Sequence, residues 1–285
     1  MTAASSSRAA GRNDAPTRRE GVFLVIEGID GVGKTTQVSR LAEELRGAGE
    51  PVTTSKEPTD GPWGRALRRS FEEGRLSLVG ELLHVIKDRR QHVEELIAPA
   101  LAAGDVVILD RYFYSTVAYQ GARLADPGEG SLARLAALAS RGLPLPRMVF
   151  LLDIPAEEGI RRISEGRGDR PNLLERVEAL DRARRTFAWL ARREPGRFWV
   201  LDGLAPPERI HRTVLHLTLD VALWEELCGR PHGCETPSAC PRRADDGCRW
   251  HRLKRALAPD DDGDDLSALV SPSPPRRPGR SATGD

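Results

Sequence analysis

A glycine-rich octapeptide near the start of the chain carries the clearest chemistry. Residues 28–35 read Gly-Ile-Asp-Gly-Val-Gly-Lys-Thr and match the pattern G-x-x-x-x-G-K-[S/T]. Glycines at these positions let backbone N–H groups converge on phosphate oxygens, and the following helix presents its positive end to the same anion. The lysine reaches the β- and γ-phosphates, and the next hydroxyl is a ligand for Mg²⁺. The pattern predicts binding of ATP and Mg²⁺ by Gly28, Ile29, Asp30, Gly31, Val32, Gly33, Lys34, Thr35 and Thr36.

A second polar set, residues 110–121, directly follows an apolar segment and reads DRYFYSTVAYQG. Asp110 stands where a carboxylate can organise Mg²⁺ and its waters, and Arg111 offers a two-pronged donor for a second phosphate. An Asp-Arg pair taken alone is equally typical of a local salt bridge. Together with Lys34, the two residues are the candidates for catalysis of phosphoryl transfer, which depends mainly on positioning and on neutralising charge.

Five short apolar runs must position these residues, at 21–27, 51–55, 105–109, 148–152 and 198–201. Helical spacing lies between them, from Thr35 to Gly47 and then at 82–101, 132–140, 156–162, 174–192 and 207–227. Nearly continuous strands that alternate with helices predict an α/β fold with a parallel sheet covered on both faces. Ligands of such sheets bind at the carboxyl ends of the strands. The polar residues at these ends are therefore expected at one rim: Asp30, Glu57, Asp110, Asp153 and Asp202.

Three motifs in order resemble those of the thymidylate kinase family. They are GIDGVGKTTQ at 28–37, KEPTDG at 56–61, which resembles the family's R-E-P segment, and DRYFYSTVAYQG at 110–121. The resemblance covers about residues 21–220. It implies a three-layer P-loop sandwich with five parallel strands in the order 2-3-1-4-5 and a mobile lid. It also implies transfer of phosphate from ATP to dTMP, and a homodimer.

The resemblance assigns an acceptor site to eight positions of this chain. Arg111 would hold the phosphate of dTMP, and Asp30 would contact the sugar or phosphate region. Tyr119 would crowd the position of a 2′-hydroxyl and so favour deoxyribose. The full set is Asp30, Glu57, Arg89, Arg111, Ser115, Thr116, Tyr119 and Gln120, and Asp202 would lie beside adenine on the ATP side. Ordinary helix packing remains the alternative role of Thr116 and Tyr119.

Two positions depart from the family's acceptor motifs. Val85 stands four residues before Arg89, where the family usually has an aromatic residue that stacks on thymine. Loss of a stacking face would weaken base binding by ~1 kcal/mol, unless a neighbouring ring such as His84 or Phe113 replaces it. Lys56 replaces the arginine of the R-E-P segment, which keeps the charge but not the two-pronged donor. These changes leave a kinase for another pyrimidine nucleoside monophosphate as the alternative function.

The segment 161–171, RRISEGRGDRP, is dense in arginine and glycine and is predicted to be a flexible, cationic lid. Some thymidylate kinases carry an arginine inside the P-loop, and others supply it from the lid. Gly31 occupies the corresponding P-loop position here, so the transition-state cation is expected from Arg162, Arg167 or Arg170. A solvated surface loop in an arginine-rich chain is the alternative interpretation.

Residues 228–285 differ in composition from the rest of the chain. We predict a disordered lead at 1–20, a kinase domain at 21–227, a cysteine-rich extension at 228–258 and a disordered tail at 259–285. Cys228, Cys234, Cys240 and Cys248 suit Zn²⁺ or an iron–sulfur cluster, although the spacing lacks a Cys-x2-Cys knuckle. Disulfides, redox-active thiols or no special role are the alternatives. A metal-sensing, non-enzymatic nucleotide-binding regulator would use this extension as its working part.

The overall composition argues against some kinds of binding partner and against a membrane-spanning protein. The chain has 43 Lys and Arg against 42 Asp and Glu, so a net charge of +1 favours neither nucleic acid nor an anionic membrane as a partner. It contains no apolar run near the roughly 20 residues of a transmembrane helix. Residues 1–227 contain no cysteine, which fits a reducing compartment, and we expect a cytoplasmic protein.

Overall fold

A parallel five-stranded sheet forms the centre of the protein. The structure is a computed structural model that describes residues 21–124, 128–167, 176–224 and 249–257 together with Val270. The strands are β1 (Val22–Glu27), β2 (Val52–Lys56), β3 (Val106–Asp110), β4 (Met148–Asp153) and β5 (Phe198–Asp202). Their order is β2-β3-β1-β4-β5, which confirms the predicted order. All neighbouring strands run parallel, so their carboxyl ends meet at one edge.

The central strands are buried because both faces of the sheet carry helices. Every residue of β1 and β3 is buried, as their unbroken apolar sequences predict. Helix α1 (Lys34–Gly47) packs on β1, β2 and β3. Helix α8 (Val177–Arg193) packs on β4 and β5, and α5 (Phe113–Gly121) packs against both α8 and α6 (Glu129–Ser140). The predicted sandwich class is confirmed.

Several helices differ from their predicted bounds. The predicted helix 82–101 is α3 (Leu78–His92), a π-helical turn (Val93–Ile97) and α4 (Ala98–Ala103). Helix α3 begins at Leu78, four residues before the predicted start, because Ser77 caps it with a hydroxyl that accepts the Gly80 N–H at 3.1 Å. Pattern analysis missed α2 (Pro62–Glu73), although Trp63, Leu67 and Phe71 recur at four-residue intervals. Helix α7 (Ala156–Arg167) runs five residues further than predicted.

Two described parts of the chain beyond residue 227 pack on the predicted domain 21–227. The predicted helix 207–227 is α9 (Pro207–Leu217) followed by a π-helical segment (Thr218–Leu223). Helix α10 (Arg249–Leu257), part of the predicted extension, lies against this segment, and Trp250 Nε1 donates to Leu219 O at 2.7 Å. Val270 forms an isolated antiparallel bridge with Leu201 of β5. The four cysteines, the lead 1–20 and the rest of the predicted tail lie outside the described residues. No helix of the described segments is long and apolar enough to cross a membrane.

Candidate active site

The loop between β1 and α1 has the backbone of an anion cradle. Gly28, Gly31 and Gly33 have φ of +142°, +83° and +93°, which side-chain-bearing residues rarely adopt. A Cβ atom on Gly28 would lie 2.5 Å from Leu152 O, and one on Gly31 would overlap the backbone of Gly159 in α7. The loop therefore fits tightly between β4 and α7, and an arginine at position 31 would have no room there.

Lys34 begins α1 and lies folded onto the loop. Its Nζ donates to Ile29 O at 2.8 Å, and the residue is buried. Burial lowers the pKa of Lys34, and repulsion from Arg111 lowers it further. Asp110, Asp30 and Glu27 offset part of this, and the resulting pKa is about 8. The loop thus holds a partly desolvated cation beside the free N–H groups of a helix N-terminus, which is a strong anion site.

Thr35 and Asp110 place two oxygen ligands side by side. Thr35 Oγ1 donates to Asp110 Oδ2 at 2.5 Å, which joins the start of α1 to the end of β3. A hydroxyl and a carboxylate next to a phosphate cradle are the hard oxygen donors that Mg²⁺ takes from a protein, with phosphate and water completing its shell. The residues present therefore fit the magnesium ion that the sequence predicts.

Arg111 connects the P-loop to the acceptor side. Its Nη1 donates to Gly28 O at 3.0 Å and its Nη2 to Asp30 Oδ1 at 2.6 Å, and the residue has φ of +72°. Tyr119 Oη donates to the other Asp30 oxygen at 2.8 Å. Burial alone raises the pKa of Asp30, but the charges of Arg111 and Lys34 and the two hydrogen bonds outweigh it and lower the pKa to about 2. The aspartate is therefore ionised and holds the guanidinium at the rim.

A cavity of about 340 Å³ opens beside this ion pair. Residues of five different segments line it, and the set includes all eight positions predicted as the acceptor site. The lining residues are Asp30, Glu57, Pro58, Leu67, Arg68, Phe71, Glu72, Val85, Asp88, Arg89, Arg111, Tyr112, Ser115, Thr116, Tyr119 and Gln120. The structure thus brings the acceptor candidates together at the carboxyl edge of the sheet. Asp30 belongs to both the cavity and the P-loop, and Arg111 connects the two through its bonds to Gly28 O and Asp30.

The far wall of the cavity is a buried ion network. Arg89 Nε donates to Glu57 Oε2 at 2.8 Å, and Nη2 donates to Thr116 Oγ1 at 3.0 Å. His92 Nδ1 lies 3.1 Å from the other Glu57 oxygen, and His92 Nε2 lies 2.9 Å from Ser55 Oγ. The remaining Arg89 nitrogen, Nη1, is buried and has no hydrogen-bond partner among the described residues. A buried donor of this kind is costly unless a ligand accepts from it.

Helix α2 contributes cavity residues that the sequence analysis missed. Phe71 and Arg68 both line the cavity, and Arg68 Nη1 donates to Pro58 O at 2.7 Å. Lys56, the expected cation of this segment, is instead exposed and pairs with Asp60 at 3.7 Å. The guanidinium available to a ligand at this side of the cavity therefore belongs to Arg68 and not to the segment of Lys56. The four-residue spacing of Trp63, Leu67 and Phe71 could have predicted this helix from the sequence.

The rings proposed to compensate for Val85 do not reach the cavity. His84 packs edge-on against Trp63 with ring centroids 5.7 Å apart, and Phe113 is buried in the core between Tyr112 and Tyr114. The aromatic residues that line the cavity are Phe71, Tyr112 and Tyr119. The suggestion that His84 or Phe113 replaces the stacking ring was wrong. The His84 ring packs on Trp63, and the Phe113 ring packs between Tyr112 and Tyr114 in the core.

Of the three lid arginines, Arg162 is the one whose side chain belongs to the described residues. Arg162 Nε donates to Glu158 Oε1 at 2.6 Å, and its Nη1 donates to Gly203 O at 3.1 Å, which ties α7 to the loop after β5. Asp202 begins that loop and fixes it by accepting the Leu204 N–H at 2.9 Å. Arg167 ends α7 but its side chain lies outside the described residues, as does all of Arg170. Of the lid candidates, the structure therefore locates Arg162 alone.

Comparison with known proteins agrees with this architecture. The family model described as Thymidylate kinase matches residues 26–214. The chain belongs to the thymidylate kinase family.

Curated relatives named Thymidylate kinase support the assignment over most of their length. That of Xanthomonas euvesicatoria pv. vesicatoria is 47% identical over 212 residues, covering 74% of this chain and 89% of the relative. That of Xanthomonas oryzae pv. oryzae is 46% identical over 219 residues, covering 77% and 92%. That of Xylella fastidiosa is 46% identical over 201 residues, covering 70% and 88%. The P-loop, the Asp110–Gly121 segment and the cavity of this family member all lie within residues 26–214, which the family model matches.

Proposed function

We propose that this member of the thymidylate kinase family transfers the γ-phosphoryl group of ATP to the phosphate of dTMP, giving ADP and dTDP. One observation carries the proposal: the cavity lined by the eight acceptor candidates adjoins the ATP-binding loop, because Asp30 of that loop lines it and Arg111 of the cavity bonds to Gly28 O and Asp30. An acceptor in the cavity therefore has its phosphate next to the donor phosphates. Such placement is the main requirement of phosphoryl transfer.

The chain's own residues supply positioning and charge. Arg111 exchanges its contact with Gly28 O for the acceptor phosphate, while Asp30 and Tyr119 keep the guanidinium oriented. Lys34 leaves Ile29 O for the β- and γ-phosphates. The acceptor oxygen is already anionic near neutral pH, so no strong general base is required. Thr35 and Asp110 would hold Mg²⁺, which neutralises charge between the β- and γ-phosphates when bound.

The lid would supply the remaining cation. Arg162, Arg167 and Arg170 stay the candidates, because Gly31 has no side chain and no room for one. Arg162 is engaged with Glu158 and Gly203 in this structure, so its use in catalysis requires α7 to move. Gln120, Thr116 and Arg89 Nη1 are the polar groups available to the base at the inner wall.

An ADP-release assay across nucleoside monophosphates tests the proposed function. With ATP and Mg²⁺, dTMP should give the highest kcat/KM, and dUMP should be about 10- to 200-fold poorer because it lacks one methyl group in an apolar pocket. Failure of dTMP to stimulate ADP release would refute the proposed function. A higher kcat/KM with another pyrimidine monophosphate would replace dTMP as the substrate.

A homodimer and a cytoplasmic location complete the proposal. Val79 and Leu83 lie one turn apart on α3 and are 66% and 54% exposed, which leaves an apolar strip on that helix. Light scattering should show a dimer that Leu83→Glu dissociates and that Leu145→Glu, in the loop before β4, does not. The cytoplasmic assignment is supported by the absence of cysteine from residues 1–227, since this part of the chain needs no disulfide.

The metal site of the extension stays a prediction for residues outside the described part of the chain. Cys228, Cys234, Cys240 and Cys248 are still candidates for Zn²⁺ or an iron–sulfur cluster, with disulfides or no special role as alternatives. The described segments contain no group of three or more His, Cys, Asp or Glu arranged for a metal. Elemental analysis of full-length protein purified without oxygen decides the matter.

A further inference from the structure

Glu27 is a fully buried carboxylate to which the mechanism above gives no task. It is the last residue of β1, with 0% of its surface exposed, and it lies directly before the P-loop. An ionisable group at such a position is costly unless its oxygens are well hydrogen-bonded. Among the described residues, the hydrogen bonds of its side chain all go to the segment that carries Arg111.

The carboxylate takes the place of a helix cap for α5. Tyr112, at the N-cap position, offers no side-chain cap. Glu27 Oε1 instead accepts the backbone N–H groups of Tyr112 at 2.8 Å and Ser115 at 3.2 Å. Both donors lie at the start of the helix, where N–H groups lack partners one turn earlier, and the Ser115 N–H is shared with Tyr112 O at 3.0 Å. The end of β1 therefore holds the first turn of α5 through side-chain bonds.

The same carboxylate reaches the Arg111 guanidinium through one hydroxyl. Ser115 Oγ donates to Glu27 Oε2 at 2.7 Å and accepts from Arg111 Nη1 at 2.9 Å. The Arg111 backbone is held from the same strand end, because its N–H donates to Ile26 O at 3.1 Å. A side-chain-bearing residue at φ +72° stays there only when its surroundings over-determine it.

We propose that Glu27 is the positioning residue for the acceptor phosphate. Its ionised carboxylate holds the first turn of α5 and, through the Ser115 hydroxyl, keeps Arg111 in the orientation that receives this phosphate. The proposal rests on the role given to Arg111 under the proposed function. It assigns no contact between Glu27 and either substrate.

Protonation of Glu27 should open this connection. The groups that face it are Arg111, Tyr112 and Ser115 from the β3–α5 segment and Lys34 from α1. Burial raises the pKa of Glu27, the Arg111 charge, the two hydrogen bonds and Lys34 offset part of the rise, and the resulting pKa is about 7. A protonated oxygen would meet the Ser115 hydroxyl as a second donor, so acceptor binding should weaken as the pH falls below about 7.

The test is Glu27→Gln, which keeps the size and sets an NH₂ group against hydrogen-bond donors. Affinity for dTMP, measured by calorimetry, and kcat/KM for dTMP should both fall about ten- to a hundredfold, as expected for loss of hydrogen bonds to a charged group. Affinity for ATP should change less than about twofold. Asp105→Asn is the matched control, because it also turns a carboxylate into an amide, at the opposite end of β3, where the Asp105 carboxylate accepts from Thr53 Oγ1 at 2.7 Å.

Two readouts separate positioning from general stability. In an Arg111→Ala background, Glu27→Gln should change dTMP affinity less than about twofold, because its effect passes through Arg111. The wild-type kcat/KM for dTMP should fall on the acid side of pH 7 more steeply than that of Glu27→Gln. The titration of the substrate phosphate is common to both proteins and cancels in the comparison.

The outcomes distinguish this proposal from the proposed function. A wild-type protein without dTMP-dependent ADP release overturns the function. An active wild type whose Glu27→Gln variant binds dTMP normally, or loses ATP and dTMP affinity equally, overturns the positioning role. If Glu27→Gln fails to fold, Ser115→Ala decides: it removes the same connection with a smaller change, and unaltered dTMP affinity would overturn the role.

Discussion

The left-handed backbone of Arg111 allows a prediction about stability that is separate from catalysis. Among the described residues other than glycine, Arg111 is the one with positive φ, at +72°. Replacement by alanine or by glycine removes the same guanidinium and its bonds to Gly28 O, Asp30 and Ser115. The two variants therefore differ only in what the backbone conformation costs them.

The magnitude follows from two opposing effects. Alanine in the left-handed region costs roughly 1–2 kcal/mol, whereas glycine adopts it freely. Glycine also gives the unfolded chain about 0.5–1 kcal/mol more conformational freedom to lose. We expect Arg111→Gly to be more stable than Arg111→Ala by about 0.5–1 kcal/mol, which for a domain of this size raises the Tm by about 1–4 °C.

Denaturant unfolding of both variants measures the difference, and the exposed helical residue Arg69 of α2 provides the control. There Arg69→Gly should be less stable than Arg69→Ala by about 1 kcal/mol, the opposite sign. Both Arg111 variants should lose acceptor kcat/KM by roughly a hundredfold or more, since each lacks a transition-state cation. An Arg111→Ala variant as stable as Arg111→Gly would refute the strained backbone and the account of its restraint.

Three further predictions concern the P-loop, the buried carboxylate and the extension. Lys34→Ala should leave the fold intact but reduce turnover by roughly 10²–10³, because the lost cation faces the β- and γ-phosphates; retention of a tenth of the activity would contradict the P-loop assignment. Since burial leads the rise in the pKa of Glu27 from 4.5 to about 7, its stabilising contribution is complete below pH 4.5 and is lost as the pH rises through 7. Unfolding free energies measured against pH should therefore show wild type losing stability relative to Glu27→Gln between pH 4.5 and 8. Trp250→Ala should destabilise the protein by about 3–5 kcal/mol, because the buried indole and its bond to Leu219 O are lost, while a melting curve identical to wild type would show that α10 does not pack there.

Local sequence patterns were sufficient to predict the buried strands and the glycine-rich loop. The strands β1, β3 and β4 can be predicted from their apolar runs, because strands buried on both faces carry few polar residues. The P-loop is equally local, since eight consecutive residues supply the glycines, the lysine and the hydroxyl. Even so, the bounds of α3 and α7 were displaced, because caps and terminal turns decide where a helix begins and ends.

The lining of the acceptor cavity could be predicted from the sequence only in part. Motif resemblance named eight of its residues, and the parallel sheet explains why segments so distant in sequence meet at one edge. The resemblance did not identify Phe71 and Arg68. Their helix, α2, lacks a side-chain cap, and its contribution to the cavity depends on how it packs against α3.

The sequence by itself determined the α/β class, the strand order through family resemblance, the glycine-rich loop and a set of eight candidate residues that line one cavity. Only the tertiary structure decided that Glu27 caps a helix 85 residues away and that Arg111 is held at positive φ. It also decided that Arg68, rather than Lys56, lines the cavity. The reason is physical: local patterns record burial and periodicity, whereas a hydrogen bond between β1 and α5 exists only after both have packed against the same sheet.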